Sequence, residues 1–297
     1  MDSYKEEMLT VLRDKWGGEF DQRLCVFFDD FDFWLEQIPI AHRPTVMTLL
    51  KNLEYYSHNT VNDWLKRLHL QLLEYGNITT DNTIYGFIKS KYGITNSSND
   101  YWMEYRIING LNKNTCVENM DAIEGDEWEC IRNIVFIDDF SGSGKSLIDE
   151  LKKRPDRYRG KTVFFITINI MFAAIKKISD YAQENGIEII HISAFCQKKA
   201  FERGLFRDEK AASDEICCLS KSLGIPEKEA MGFKKTQSLI AFYNNTPNNT
   251  LGFIRYNTNS YTAPFPRTDD KMPSWRKLQK DRIRRNNAKY MNKCREV

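Results

Sequence analysis

At 297 residues, 41% hydrophobic and 28% charged, the chain has ordinary globular composition and enough length to bury a full core. No apolar run approaches the roughly 20 residues that span a bilayer, and Met1–Glu7 lacks the basic-then-apolar order of a signal peptide, so a cytoplasmic protein with no membrane partner is expected. The net charge of +2 hides an asymmetry: residues 271–297 carry ten Lys/Arg against two acids, which leaves the rest at −6.

Residues 1–92 read as a helical subdomain. Val46, Leu49, Leu50 and Leu53 form one stripe, and Val61, Trp64, Leu65, Leu68 and Leu72 another, both at helical spacing. Such stripes usually pack on a core, with a partner-binding arm as the alternative. From residue 93 to 267 the rhythm changes to strands alternating with helices. Met103–Ile108, Ile134–Ile137, Val163–Ile168 and Ile187–Ile192 read as strands. Phe172, Ile175, Ile178, Tyr181 and Ala182 line a helix that stops at Asn185-Gly186. Leu239–Tyr243 and Leu251–Tyr256 read as two later strands. This order argues for an α/β fold with a mostly parallel sheet covered by helices. Residues 268–297 are a basic tail, suited to nucleic acid phosphates or to an acidic protein partner, or to no partner at all. Seven cysteines, never spaced Cys-x-x-Cys, argue against a disulfide framework or a thiolate metal site.

The chemistry concentrates between Ile134 and Ser146. Four apolar residues read as a strand buried on both faces. Asp138 and Asp139 stand at its end, and Phe140-Ser141-Gly142-Ser143-Gly144-Lys145-Ser146 leads into a helix marked by Leu147, Ile148 and Leu151. Ligands of open α/β sheets bind outside the carboxyl ends of the strands, and a loop of exposed amides cradles phosphate. Two motifs compete for these residues. The phosphate loop of nucleoside triphosphatases matches Gly144-Lys145-Ser146, but its first glycine falls on Asp139, whose carboxylate would repel the phosphates.

The second motif fits throughout. The segment resembles the ribose-phosphate motif of type I phosphoribosyltransferases: a hydrophobic strand, two acids, an apolar residue, two small residues, Ser/Thr, Gly, any residue and Ser/Thr. The resemblance implies that Asp138 and Asp139 bind the ribose hydroxyls of phosphoribosyl pyrophosphate. It implies too that Ser141, Gly142, Ser143, Gly144, Lys145 and Ser146 cradle the 5′-phosphate, and that Mg2+ enters with the pyrophosphate. Such a site needs a second anion loop, and Gly93–Asp100, with Ser97, Ser98 and Asn99, has the position and small donors for it. Arg106 is placed to reach in. Together with Phe33-Trp34-Leu35, Tyr55-Tyr56-Ser57, the stretch Gly232-Phe233-Lys234-Lys235-Thr236-Gln237-Ser238-Leu239-Ile240 and Phe265-Pro266-Arg267, the turn Asn245-Thr246-Pro247-Asn248-Asn249-Thr250 resembles the phosphoribosyltransferase-like family encoded with bacterial conflict and antiphage systems. On that resemblance Asn245 and Asn248 are base or hood contacts, although Asn and Pro also serve plain turns. The resemblance implies a glycosyl-transferring enzyme that acts on phosphoribosyl pyrophosphate or another nucleotide. A sensing module that keeps the pocket without the chemistry stays open, as does the oligomeric state. The acidic run Asp121–Glu129 reads as surface, or as a recruiter of magnesium, and His191 reads as a core residue.

Overall fold

The computed structural model describes residues 2–17, 21–90 and 96–268; the basic tail beyond 268 and residues 93–95 of the expected pyrophosphate loop lie outside them. Six strands run in chain order: β1 (Glu54–Tyr56), β2 (Thr83–Phe87), β3 (Asn133–Ser141), β4 (Thr162–Met171), β5 (Glu188–Gln197) and β6 (Ile240–Phe242). The helices are α1 (Asp2–Trp16), α2 (Gln22–Asp29), α3 (Phe31–Glu36), α4 (Arg43–Lys51), α5 (His58–Glu74), α6 (Ser97–Ile108), α7 (Gly125–Cys130), α8 (Lys145–Leu151), α9 (Phe172–Asn185), α10 (Glu209–Ser222), α11 (Glu227–Ala230) and α12 (Gly252–Arg255).

The main sheet is four-stranded, in the order β2-β3-β4-β5, with every pairing parallel. Its central strands are apolar without alternation because both faces are covered. Ile134, Val135 and Ile137 are fully buried, as are Val163, Ile166, Ile168 and Ile170. Helices α5 and α6 pack on each other and on the sheet, while α9 packs on β4 and β5 and holds α8 against it. α9 ends as its sequence dictates, with Gly186 in the left-handed conformation at φ 62°. No helix among the described residues is long and apolar enough to cross a membrane.

A second, two-stranded parallel sheet pairs β1 with β6 and divides the interior. Tyr56, Ile240 and Phe242 face the core around the main sheet. Tyr55, Leu239 and Ala241 face a second core, built from α1 to α4 and from residues 200–265. The side chains alternate because successive strand residues point to opposite faces. A buried relay joins the two sheets. Asn169 on β4 donates to the Tyr56 hydroxyl at 2.9 Å, Gln197 donates to Asn169 at 2.8 Å, and the Leu239 amide donates back to Gln197 at 3.2 Å.

Three readings of local structure are corrected. Met103–Ile108 is the second half of α6, because Tyr101, Trp102 and Tyr105 bury one helical face. Leu251–Tyr256 holds the single helical turn α12, wedged where a Cβ on Gly252 would stand 2.7 Å from the Glu229 carbonyl. The stretch before residue 92 contains β1 and β2 among its helices.

Candidate functional site

Strand β3 carries the diacid to the carboxyl edge of the sheet. Its register with β4 runs through Asp138 opposite Thr167, passes over Asp139 and resumes at Phe140 opposite Asn169. Local carboxylates take the amides there: Asp138 accepts from the Asp139 N–H at 3.0 Å, and Asp139 accepts from the Phe140 N–H at 2.8 Å. Short acidic side chains compete with the ladder in this way, and the chain leaves the sheet just beyond them. Asp138 is 7% exposed. Burial, then the adjacent Asp139 carboxylate, push its carboxyl well above the usual range, although the Ser97 hydroxyl bonds to it.

The loop from Ser141 to Gly144 enters α8 under close packing. Gly144 has φ 69°, and a Cβ there would stand 2.9 Å from the Ile178 side chain of α9. A Cβ on Gly142 would fall 2.2 Å from the Asn249 amide nitrogen. The Asn-Thr-Pro-Asn-Asn turn therefore rests directly on the loop. It is anchored from both ends of the chain: Arg23 of α2 donates to the Thr246 hydroxyl at 2.9 Å and to the Pro266 carbonyl at 2.8 Å, and Arg267 donates to the Thr246 carbonyl at 2.8 Å. Asn249 donates to the Thr236 hydroxyl at 2.8 Å.

Two adjoining chambers result. The larger, about 580 Å³, is lined by Asp138, Asp139, Ser97, Ser98, Asp100 and the turn from Asn244 to Asn249. The smaller, about 240 Å³, is lined by the whole loop from Ser141 to Ser146, with Asp149, Phe233, Asn248 and Asn249. Asp138, Phe140, Ser146, Asn248 and Asn249 line both. The fold thus brings Asp138, Asp139, Ser141, Gly142, Ser143, Gly144, Lys145, Ser146, Ser97, Asn245 and Asn248 to one place.

Other expected residues have different surroundings. Ser97–Asn99 is the first turn of α6, not an open loop, and the Asn99 amide is already bonded by the Asn96 side chain at 3.1 Å. Ser98 lines the larger chamber, but its hydroxyl is committed, accepting from the Ile88 N–H at 2.9 Å and donating to the Ile137 carbonyl. Arg106 sits a few turns along α6, near Cys116 and outside either chamber's lining. Lys145 pairs with Asp149. His191 is exposed on β5 and not in the core, and of the acidic run Asp121 pairs with Arg154 and Arg157 at 3.7 Å. Asp100, one helical turn from Asn96, and Phe233 lie in stretches the sequence marks, Gly93–Asp100 and Gly232–Ile240, but neither is assigned a role there; they line the larger and the smaller chamber respectively. Burial and Asp139 raise the Asp100 carboxyl.

The expected anion and ribose ligands have matching chemistry here. The first turn of α6 lines the larger chamber and the 141–146 loop the smaller, and helix N-termini favour negative charge. The carboxylates supply acceptors for hydroxyls.

Comparison with known proteins adds the relationship. No curated protein matches the chain. Among solved structures, it is similar to orotate phosphoribosyltransferase from Aeropyrum pernix, at 14% identity over 49% of this chain and 74% of that one, with a TM-score of 0.29. It is also similar to xanthine-guanine-hypoxanthine phosphoribosyltransferase from Helicobacter pylori, at 12% identity over 48% of this chain and 88% of that one, with a TM-score of 0.31. The model of the PRTase-CE family matches residues 18–267, a span from α2 through the Arg267 anchor that contains the diacid, the loop and the turn; the chain belongs to this phosphoribosyltransferase-like family.

Proposed function

We propose that the protein binds a ribose 5-phosphate ligand carrying a leaving group at C1, with phosphoribosyl pyrophosphate as the reference ligand, and transfers its ribosyl group. The observation that carries this reading is the shared lining: Asp138 and Ser146, from the diacid and from the 141–146 loop, each line both chambers. Asp138 and Asp139 accept the two ribose hydroxyls, which fixes the ring. The loop amides and the Ser143 and Ser146 hydroxyls hold the 5′-phosphate. The first turn of α6 faces the departing pyrophosphate, where its dipole opposes the charge that develops. Positioning and electrostatics supply most of the rate in this scheme.

The acids lining the larger chamber are hard oxygen donors of the kind magnesium takes. Among the described residues no group of three or more acids, histidines or cysteines is arranged to hold an ion by itself, so Asp138 and Asp139 would share it with the ligand's phosphates. Magnesium would supply neutralisation of the leaving pyrophosphate. By family association, the biological role is that of an effector or accessory factor in bacterial antiphage defence, acting on nucleotides or nucleic acid, with the basic tail as a contact for nucleic acid or an acidic partner.

One observation favours a binding module without transfer. Arg267 is the sole cation among the described residues lining the larger chamber, and it is engaged at Thr246. Calorimetry with phosphoribosyl pyrophosphate, ribose 5-phosphate and ATP, with magnesium, tests the site. Binding that is lost in Asp138→Asn/Asp139→Asn supports it, and ATP binding indifferent to the diacid restores the triphosphatase reading. Pyrophosphate release separates the enzyme from the module.

A further inference from the structure

The smaller chamber offers more than a phosphate group uses. Its 240 Å³ equals about eight water volumes at about 30 Å³ each, whereas a phosphate brings only five heavy atoms. One wall is aromatic. Phe233 lines the chamber yet is 41% exposed, although burial is the ordinary fate of such a ring.

That ring is held in place by its backbone. The Phe233 N–H donates to the Asn248 carbonyl at 2.8 Å. Gly232, at φ 71°, presses so closely on the turn that a Cβ would lie 2.0 Å from the Asn249 carbonyl oxygen. Lys234, Lys235 and Gln237 all adopt φ 54°, a left-handed conformation that L side chains disfavour. Strain of this kind persists where surroundings over-determine it, and it gathers at ligand clamps. The charge around the ring is positive. Lys234 places its ammonium 5.6 Å from the Phe233 centroid, and neither Lys234 nor Lys235 joins an ion pair among the described residues.

We infer that the smaller chamber is a second subsite, which takes a planar base attached beyond the 5′-phosphate. The ligand class therefore extends from phosphoribosyl pyrophosphate to a ribose whose 5′-phosphate is joined through a second phosphate to a nucleoside, as in dinucleotides. The inference rests on the ribose-phosphate reading above and extends it. The ribose sits at the diacid in the larger chamber, the phosphates cross the 141–146 loop, and the base stacks on Phe233 with Asn248 at its edge. Lys234 offsets the charge of the second phosphate.

Calorimetry on the full chain with ribose 5-phosphate and with ADP-ribose tests this. ADP-ribose is expected to bind at least tenfold tighter. In Phe233→Ala that preference falls by about tenfold, the scale of losing one base–aromatic stack. Phe233→Leu, which keeps the apolar bulk without the π face, falls most of the way. Equal affinities for the two ligands, or a preference unchanged in both variants, overturns the subsite while leaving the ribose-phosphate reading in place. If neither ligand binds the wild type, both fall together.

Discussion

Replacing Gly142 by alanine probes the contact on which the pocket is built. The new methyl would lie 2.2 Å from the Asn249 amide nitrogen and 2.4 Å from its Cγ. The Asn249 backbone cannot retreat, because its carbonyl accepts from Ser238 at 3.1 Å and Gly232 abuts it from behind. The side chain must therefore swing away and give up its 2.8 Å bond to Thr236. Overpacking costs about 1–3 kcal/mol, and a broken buried hydrogen bond about 1–3 kcal/mol. A total near 3 kcal/mol corresponds to a Tm lowered by roughly 6–12 °C for a domain of this size. The assay is thermal unfolding of Gly142→Ala, Asn249→Ala and the double variant as a cycle. Removing the Asn249 amide should relieve the collision, so that the double variant recovers about 2 kcal/mol relative to additivity. A Gly142→Ala protein within 2 °C of wild type, or a strictly additive cycle, refutes the contact.

Two further outcomes follow from buried polar groups. The Asp138 carboxyl is raised by burial and by Asp139, so the native state holds its proton more tightly than the unfolded chain does. That contribution is fully present below the unfolded value near 3.9 and is lost as pH rises through the folded value. Asp138→Asn should therefore unfold at a higher temperature than wild type near pH 7, with the gap closing toward pH 4, while ligand binding is lost; equal stability across that range contradicts the assignment. Asn169→Leu strands the Tyr56 hydroxyl and the Gln197 amide inside the protein and should cost about 2–4 kcal/mol in urea unfolding; a loss below about 1 kcal/mol would mean the relay adds little.

The α/β class of the fold is legible in the sequence, and so is the stretch that lines the two chambers. Strand β3 and its loop are contiguous, and each step follows from local chemistry: an apolar run for a strand covered on both faces, two acids at its end, small residues for a close turn. β4 and α9 are equally plain, the latter through Gly186. α6 was misread by its second half alone. Started at Asn96, whose side chain caps it, the aromatic positions 101, 102 and 105 give a helical face. β1 carries no local signal, since three residues become a strand only through pairing with β6 far along the chain. Asp100 and Phe233 sit inside stretches the sequence marks, but their individual roles are not legible, because only folding brings them into chambers that Asp138 also lines.

The β1–β6 pair has a consequence for how the pocket assembles. The turn over the 141–146 loop begins directly after β6, and its Thr246 is gripped by Arg23 of α2. Strand β6 can dock only on a strand from the first fifth of the sequence, so the roof of the pocket closes over a very long loop. Such closure is entropically late, and contacts of this range form slowly. A ribosome-bound or unfinished chain carries the diacid and the loop for some time before it carries a site. Pocket assembly thereby reports that synthesis has passed Arg267.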